Sequence, residues 1–451
     1  MQRFAHRFTP LFQVVSHGLQ HRGYMKALSS SYLLMLISIL AQVIFVPLYL
    51  QHYGQYQFGV LMVLLSLVNF AVIGIAWMSG GSLRLLSEYA SLGQDADFKR
   101  AFGLIKAIYT GYGIGLGAAI LFAVSFFGQL LFRGGNDFDL QQSNLTTMIM
   151  ACYLMFFFPA ALDRLALTAR KRQGAANMAQ ISGVIASSVS IYLWITHGGG
   201  MAGVMGFQIV GAVVSLVITR ILLNQEVSGL RLCFNFRQNR DVFRRLGGKT
   251  GAGFFLHGAL VLALLADTAL VGFLGGAKIA AEFYLVWKVA EVMVQLIWKL
   301  PEPMVPYFVQ MDVRGDHTAL SRIAQRGYAL VAGISLLSGI FYAWLGPAVV
   351  SIWVGHENVP NARLGFALAG GAIFWLGISR LPVVLASARV TLRQLNWVGG
   401  MELLGKVGVT VILFPQLGYV SVLLAINLVH LLGVSFLYFR LLPRHDALAK
   451  P

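Results

Sequence analysis

Residues 31–50 read SYLLMLISILAQVIFVPLYL, and residues 58–77 read FGVLMVLLSLVNFAVIGIAW. Neither run contains a charged side chain. At a rise of about 1.5 Å per residue, roughly 20 apolar residues cross the hydrocarbon core of a bilayer. The short polar stretch QHYGQYQ at 51–57 joins the two runs. Two spanning lengths of apolar chain joined by a polar turn make a membrane hairpin. Water cannot satisfy backbone groups inside a bilayer, so the runs must be helices.

The rest of the chain repeats the pattern. Of 451 residues, 57% are apolar and 11% are charged, and the mean hydropathy is +0.72. Ordinary soluble domains carry roughly 25% charged residues, so this chain has too little polar surface to face water on all sides. Further spans are expected near 102–127, 146–162, 176–195, 201–223, 251–274, 281–300, 327–345, 364–385, 398–414 and 420–441. The fold expected is all-α integral membrane with about 12 transmembrane helices. The 49 glycines suit membrane helices, where small residues let backbones approach.

Lys and Arg placement orients the spans. With the N-terminus inside, 29 of the 34 basic residues fall on cytoplasmic segments, Arg133, Lys278 and Arg363 fall outside, and Lys288 and Lys406 lie within spans. The alternation supports twelve spans with both termini in the cytoplasm. It also explains the net charge of +17 without nucleic acid, because the basic residues are spread over seven segments instead of one face. Residues 1–26 form a basic N-terminal segment with no signal-peptide core. Phe4, Phe8, Leu11, Phe12 and Val15 give it an amphipathic helical spacing, although a frayed tail fits the pattern equally well.

A duplication is visible. Pro47–Val60 and Thr268–Val286 each hold a helix end, a Gly-containing turn and a second apolar helix, with Gly54 opposite Gly275. Six spans per half implies parallel repeats about an axis normal to the membrane. The expected organisation is an N-lobe at 27–230, a basic cytoplasmic linker at 231–249, a C-lobe at 250–442 and a tail at 443–451.

The YGQYQFG turn within Val46–Ile75, the loop LRLLSEYASLGQDADFKRAFG (Leu83–Gly103) and the connection DRLALTARKRQGAANMAQI (Asp163–Ile181) resemble Wzx-type polysaccharide and O-antigen flippases of the multidrug/oligosaccharidyl-lipid/polysaccharide (MOP) exporter superfamily. Asp267, the following Gly-Gly turn and Phe283–Tyr284 are also similar. The resemblance covers most of the chain in span number and loop pattern. It implies a V-shaped transporter of two six-helix lobes in the bacterial inner membrane. It further implies an undecaprenyl-pyrophosphate-linked oligosaccharide as substrate for lipopolysaccharide or other surface polysaccharide, and coupling to H+ or Na+. Membrane lipids and other polysaccharide-assembly proteins would be its partners. Twelve spans differs from the fourteen typical of the lipid II flippase branch.

Ionisable groups at bilayer depth usually face a cavity or a partner. Lys288, Glu291, Gln295 and Lys299 share one face of the eighth span. They read as a lumen-facing stripe or, more plainly, as an internal Lys288–Glu291 ion pair. The continuation to Gln295 and Lys299 favours the stripe. Asp267 and Lys288 are expected at equal depth on antiparallel spans, so a gating pair between them is expected. Glu402 and Lys406 have the favourable i, i+4 spacing in the eleventh span. Lys288 and Lys406 are candidates to stabilise a pyrophosphate, with Glu291, Gln295 and Arg164 also lining the cavity. Asp267, Glu291 and Glu402 are candidates for coupling or gating. Arg84 and Arg380 read as snorkelling residues at the cytoplasmic face.

Several motifs exclude other classes. Gly111, Gly113, Gly115 and Gly117 lack the GxGxxG spacing and follow no strand, so they read as helix packing. Gly248-Lys249-Thr250 has Phe243 where a phosphate loop needs Gly. Cys152 and Cys233 offer no metal or redox spacing, and no cofactor is expected. His197, His356, Glu357, Asp137 and Asp139 form no catalytic triad, and the outer loops are too short for a folded domain. A transporter is therefore preferred to a glycan polymerase or ligase. An organic-cation antiporter is less favoured, because lysines accompany the intramembrane acids.

Overall fold

The computed structural model describes residues 22–131, 137–230, 239–246, 267–301, 317–360, 363–388 and 392–440. The molecule is all-helical: α1 (Arg22–Ser91), α2 (Asp95–Leu131), α3 (Asp137–Ala169), α4 (Gln173–Thr196), α5 (Met201–Glu226), α6 (Asp267–Gly275), α7 (Ala277–Lys299), α8 (His317–Val354), α9 (Arg363–Ala388), α10 (Leu392–Leu417), α11 (Val420–Val429) and α12 (Ser435–Arg440). Among the described residues, nine helices are long and apolar enough to cross a membrane. One of them, within α1, carries two spans in sequence. The eighth span, α7, adds another whose polar stripe lowers its apolarity, and α6 is the described end of the seventh. The expectation of a multi-pass all-α protein with about twelve spans holds. The N-terminal segment, most of the basic linker, residues 251–266 of the seventh span and the tail lie outside the described residues.

Gly54 divides α1. Its backbone angles, φ 72° and ψ 171°, are open to glycine and strained for other residues, and they turn the chain between the first two spans. Gly276, at φ 85° and ψ 176°, makes the same turn between α6 and α7. The two turns thus share one backbone conformation, in a register one residue away from the Gly54–Gly275 alignment. Glycine identity alone could not choose between the adjacent Gly275 and Gly276. Backbone conformation does.

Two compact units emerge. The first holds residues 1–44, 79–119 and 148–248, and the second holds 45–78, 120–147 and 249–451. Division by compactness thus places the second span with the helices of the second half of the sequence. Within that unit, Gly59 lies so close to α7 that a Cβ would meet the Ala277 carbonyl oxygen at 1.9 Å, and Phe58 packs edge-on to Tyr284. Ser66 Oγ accepts the Ala269 N–H at 3.2 Å.

Small residues set the helix crossings, as lipid supplies little hydrophobic drive for helices to associate. In the first unit, Gly113 and Gly117 abut the α3 backbone at Leu154 and Ala151, whereas Gly111 and Gly115 meet open space. The alternating glycine run is thus a packing face used at i, i+4. The α4 and α5 helices cross at a reciprocal pair, with a Cβ on Gly183 meeting the Gly211 carbonyl at 2.5 Å and the converse at 2.6 Å. In the second unit Gly339 and Gly370 do the same for α8 and α9, at 2.5 and 2.4 Å.

The twelfth span departs from the single helix expected over 420–441. It contains a π-helical turn at His430–Val434, with Gly433 at φ 149° and ψ −18°, between α11 and α12.

Overpacking a close crossing typically costs about 1–3 kcal/mol. Gly339→Leu is therefore expected to lower the thermal unfolding midpoint of the detergent-purified protein, while Gly115→Leu leaves it within error. A static light-scattering melt compares the two.

Candidate functional site

In the second unit, buried charges gather where α6, α7, α10 and the π turn after α11 carry polar residues on otherwise apolar segments. Lys406 Nζ of α10 contacts Asp267 Oδ1 of α6 at 2.5 Å, and both side chains are 3% exposed. Asp267 Oδ2 is buried and has no hydrogen-bond partner among the described residues. On α7, Lys288 Nζ donates to both oxygens of Glu291 at 3.1 and 3.2 Å, and Gln295 Nε2 donates to Glu291 Oε1 at 2.8 Å. Lys288 is 15% exposed and its ammonium lies over the Tyr284 ring. One turn before Lys406 on α10, Glu402 Oε1 faces His430 Nε2 at 3.2 Å. His430 Nδ1 lies 3.0 Å from Ser435 Oγ, and the Trp375 ring stacks on the imidazole.

This arrangement corrects two expectations. Asp267 pairs with Lys406 instead of Lys288, and Lys288 pairs with Glu291 inside its own helix. Equal depth on adjacent spans fixes height but leaves the angular position of each side chain free, and here α10 supplies the partner. Glu402 and Lys406, expected to pair with each other, are each engaged by another helix. The two lysines expected to await an anion are held in ion pairs, and Lys406 is sealed from solvent.

The first unit holds a buried pair that the sequence analysis passed over. Lys106 Nζ of α2 donates to Asp163 Oδ1 at 2.6 Å and to the Pro159 carbonyl at 3.1 Å, and Asp163 is fully buried. Arg220 lies over the Phe102 ring and donates to the Leu230 carbonyl at 2.5 Å. The signal for Lys106–Asp163 was present. Lys106 lies just inside the start of the third span and Asp163 just past the end of the fourth, at matching depth.

Arg164 sits beside Asp163 yet turns elsewhere. Its Nη1 lies 3.3 Å from Ser215 Oγ, and among the described residues it makes no ion pair. The side chain lines a cavity of about 90 Å³ between α3, α4 and α5. Tyr153 and Phe157 form one wall, and Gln180, Ser187, Gln208 and Ser215 supply amides and hydroxyls. Gly183 and Gly211, the pair at the α4–α5 crossing, also line it. The crossing thus brings two backbones together and leaves room where side chains would otherwise stand. Among the described residues, no carboxylate lines this cavity.

The remaining candidates lie apart. Arg84 is exposed. Arg380 lies over the Trp298 ring, 5.0 Å from its centroid. His356 and Glu357 occupy one exposed helical turn after α8. No group of three His, Cys, Asp or Glu side chains arranged to hold a metal occurs among the described residues.

By sequence, the chain matches no protein-family model and no curated protein. By fold it is similar to solved MOP transporters. An inward-facing multidrug resistance MATE family transporter aligns with TM-score 0.74 at 11% identity, covering 90% of this chain and 95% of its own. The lipid II flippase MurJ, in an inward closed conformation, aligns with TM-score 0.67 at 12% identity over 91% and 87% of the two chains. A MOP superfamily transporter from Pyrococcus furiosus, described by the reverse polarity of its binding pocket, aligns with TM-score 0.60 at 12% identity over 97% and 96%. At these identities the likeness establishes the fold.

Removing one partner of a buried ion pair costs about 3–5 kcal/mol, whereas replacing both with apolar or neutral groups is often close to neutral. Lys406→Met should therefore lower the thermal midpoint markedly, and Asp267→Asn added to it should restore most of the loss. Adding Lys288→Met instead should restore nothing.

Proposed function

We propose that this protein is a flippase that moves an undecaprenyl-pyrophosphate-linked oligosaccharide from the inner to the outer leaflet of a bacterial inner membrane. The product serves synthesis of a cell-surface polysaccharide such as O-antigen, and both chain termini lie in the cytoplasm. The single observation that carries this reading is the polarity of the Arg164 cavity. It presents a guanidinium, two amides, hydroxyls and an aromatic wall, with no carboxylate. A guanidinium forms paired charge-assisted hydrogen bonds with phosphate or carboxylate oxygens. Amides, hydroxyls and aromatic faces suit the alternating polar edges and apolar faces of a sugar.

An organic-cation antiporter is the second reading, and the fold similarity to a multidrug transporter is its support. Such a cargo needs an available carboxylate. Among the described residues of the second unit, three buried acids are already engaged: Asp267 by Lys406, Glu291 by Lys288 and Gln295, and Glu402 by His430. In the first unit Asp163 is engaged by Lys106. The Arg164 cavity offers a ligand a cation. Transport proceeds on this reading by exposing the cavity to each side of the membrane in turn, with no covalent step. A polymerase or ligase would need acid and base groups placed against a sugar acceptor, and the cavity lining offers no such pair.

Reconstitution into liposomes tests the assignment. The wild type should move a fluorescent polyprenyl-pyrophosphate glycan between leaflets, measured by quenching from outside. Loss of a charge-assisted contact of about 1.5–3 kcal/mol should slow Arg164→Ala by roughly tenfold or more, with Arg164→Lys intermediate. Uptake of a cationic dye by the same liposomes, with the glycan lipid left in place, would overturn the assignment in favour of the antiporter.

A further inference from the structure

One described stretch of the basic linker lies apart from the cavity and from the buried ion pairs. Residues 240–246, RDVFRRL, form about two turns of helix. One side of this helix is fixed to the first unit. Val242 and Leu246 are buried, as is Asn239 just before the helix. These positions recur at helical spacing, so the sequence buries one stripe and leaves the rest outward. Arg100 of α2 donates through Nε to Asn239 Oδ1, and its Nη2 lies 3.3 Å from Asp241 Oδ1. The Phe243 N–H donates to the Asn239 carbonyl at 3.0 Å and closes the first turn.

The outward surface combines charge with an aromatic ring. Arg240, Arg244 and Arg245 are exposed, and among the described residues their side chains make no hydrogen bond or ion pair. Phe243 is 53% exposed beside them. At 3.6 residues per turn, Phe243, Arg240 and Arg244 fall within a sector of about 100°, with Phe243 nearest the buried stripe. Three acids at this end of the unit are already matched: Asp95 by Arg170, Glu226 by Arg172 and Asp241 by Arg100. The exposed arginines therefore present a positive patch next to an apolar ring.

The chain sets the height of this patch. Arg100 is the sixth residue of α2, and Leu246 precedes by five residues the seventh span expected from residue 251. The helix thus lies where spans leave the bilayer, at the level of lipid headgroups. A guanidinium forms paired charge-assisted hydrogen bonds with phosphate oxygens. An aromatic side chain at this level buries its ring among the upper acyl chains. A zwitterionic headgroup would bring its own cation against three arginines, whereas an anionic one brings none. Arginines retained on one side of the membrane by insertion alone need neither a fixed helix nor an exposed ring. Here the Arg100 contacts and the buried stripe hold Arg240 and Arg244 one turn apart on the same side.

We infer that the outward face of residues 240–246 is a binding site for an anionic phospholipid of the adjacent leaflet. Arg240 and Arg244 take the headgroup phosphate, and Phe243 packs on the upper acyl chains. On the orientation proposed above, that leaflet is the cytoplasmic one. Binding of the lipid depends on neither the cargo nor the transport cycle.

The full-length protein in a non-ionic detergent is titrated with dioleoyl-phosphatidylglycerol or dioleoyl-phosphatidylcholine, and the first bound lipid is quantified by native mass spectrometry. Wild type should prefer phosphatidylglycerol by about fivefold or more. Arg240→Gln with Arg244→Gln should weaken phosphatidylglycerol binding by roughly tenfold and abolish the preference, with an unchanged thermal midpoint. Arg240→Lys with Arg244→Lys keeps the charge without the paired donors and should be intermediate. Phe243→Ala should weaken both lipids by a similar factor, because both carry the same chains. Arg84→Gln with Lys171→Gln removes equal charge from exposed positions of the same unit and should bind as wild type does. No preference in wild type, or equal losses in the two glutamine pairs, overturns the site. Displacement of phosphatidylglycerol by an equal concentration of inorganic pyrophosphate also overturns it, and would mark the patch as a contact for a pyrophosphate headgroup instead.

Discussion

A charge carried into a bundle surrounded by lipid must find its counter-charge within the protein, and in each compact unit this chain meets that demand differently. In the second unit the ions are matched across helices: Asp267 on α6 with Lys406 on α10, and Glu402 on α10 with His430 after α11. The first ties together segments more than a hundred residues apart, and the second joins consecutive spans. In the first unit Lys106 and Asp163 satisfy each other, and Arg164, the next residue along α3, is left facing a cavity without a carboxylate. The site follows from this difference. A charge already matched offers little to a ligand, whereas one held at a cavity wall by a single long hydrogen bond to Ser215 offers most of its donors.

The glycine contacts give the other half of the account. Gly183 and Gly211 let α4 and α5 touch at the backbone, and the same two residues border the cavity. Close packing and open volume are thus produced by one feature. Side chains there would both separate the helices and fill the space. Gly54 and Gly276 do a different task, each turning the chain by a left-handed conformation between consecutive spans.

The sequence carried the class of the fold and much of its span pattern, because runs of twenty apolar residues have few physical alternatives. It also pointed to the two glycine turns, Gly54 and Gly276, the second to within one residue. It named Arg164, Lys288, Lys406, Asp267, Glu291 and Glu402 as groups of interest because ionisable residues at bilayer depth are costly wherever they point. It could not pair them. Depth follows from counting residues along a helix, but azimuth depends on how each helix rotates to bury its apolar face, and that is settled by packing against all neighbours at once. Hence Asp267 was matched in height with Lys288 but met Lys406. His430 escaped notice because a single histidine in an apolar run resembles any buried histidine until the π turn brings it against Glu402. Lys106 escaped because it lies at the span edge, where a basic residue usually snorkels to the interface.

The contrast between a sealed ion pair and an open arginine is most directly read by cysteine accessibility. In a background lacking Cys152 and Cys233, a thiol is placed at position 406, with Asp267→Asn to avoid a lone buried acid, or at position 164. Each protein is then exposed in membranes to a water-soluble methanethiosulfonate. The account requires the thiol at 164 to react far faster than the thiol at 406. Equal rates, or faster reaction at 406, would mean that water reaches the charges of the second unit and that the division between matched and available charges is wrong.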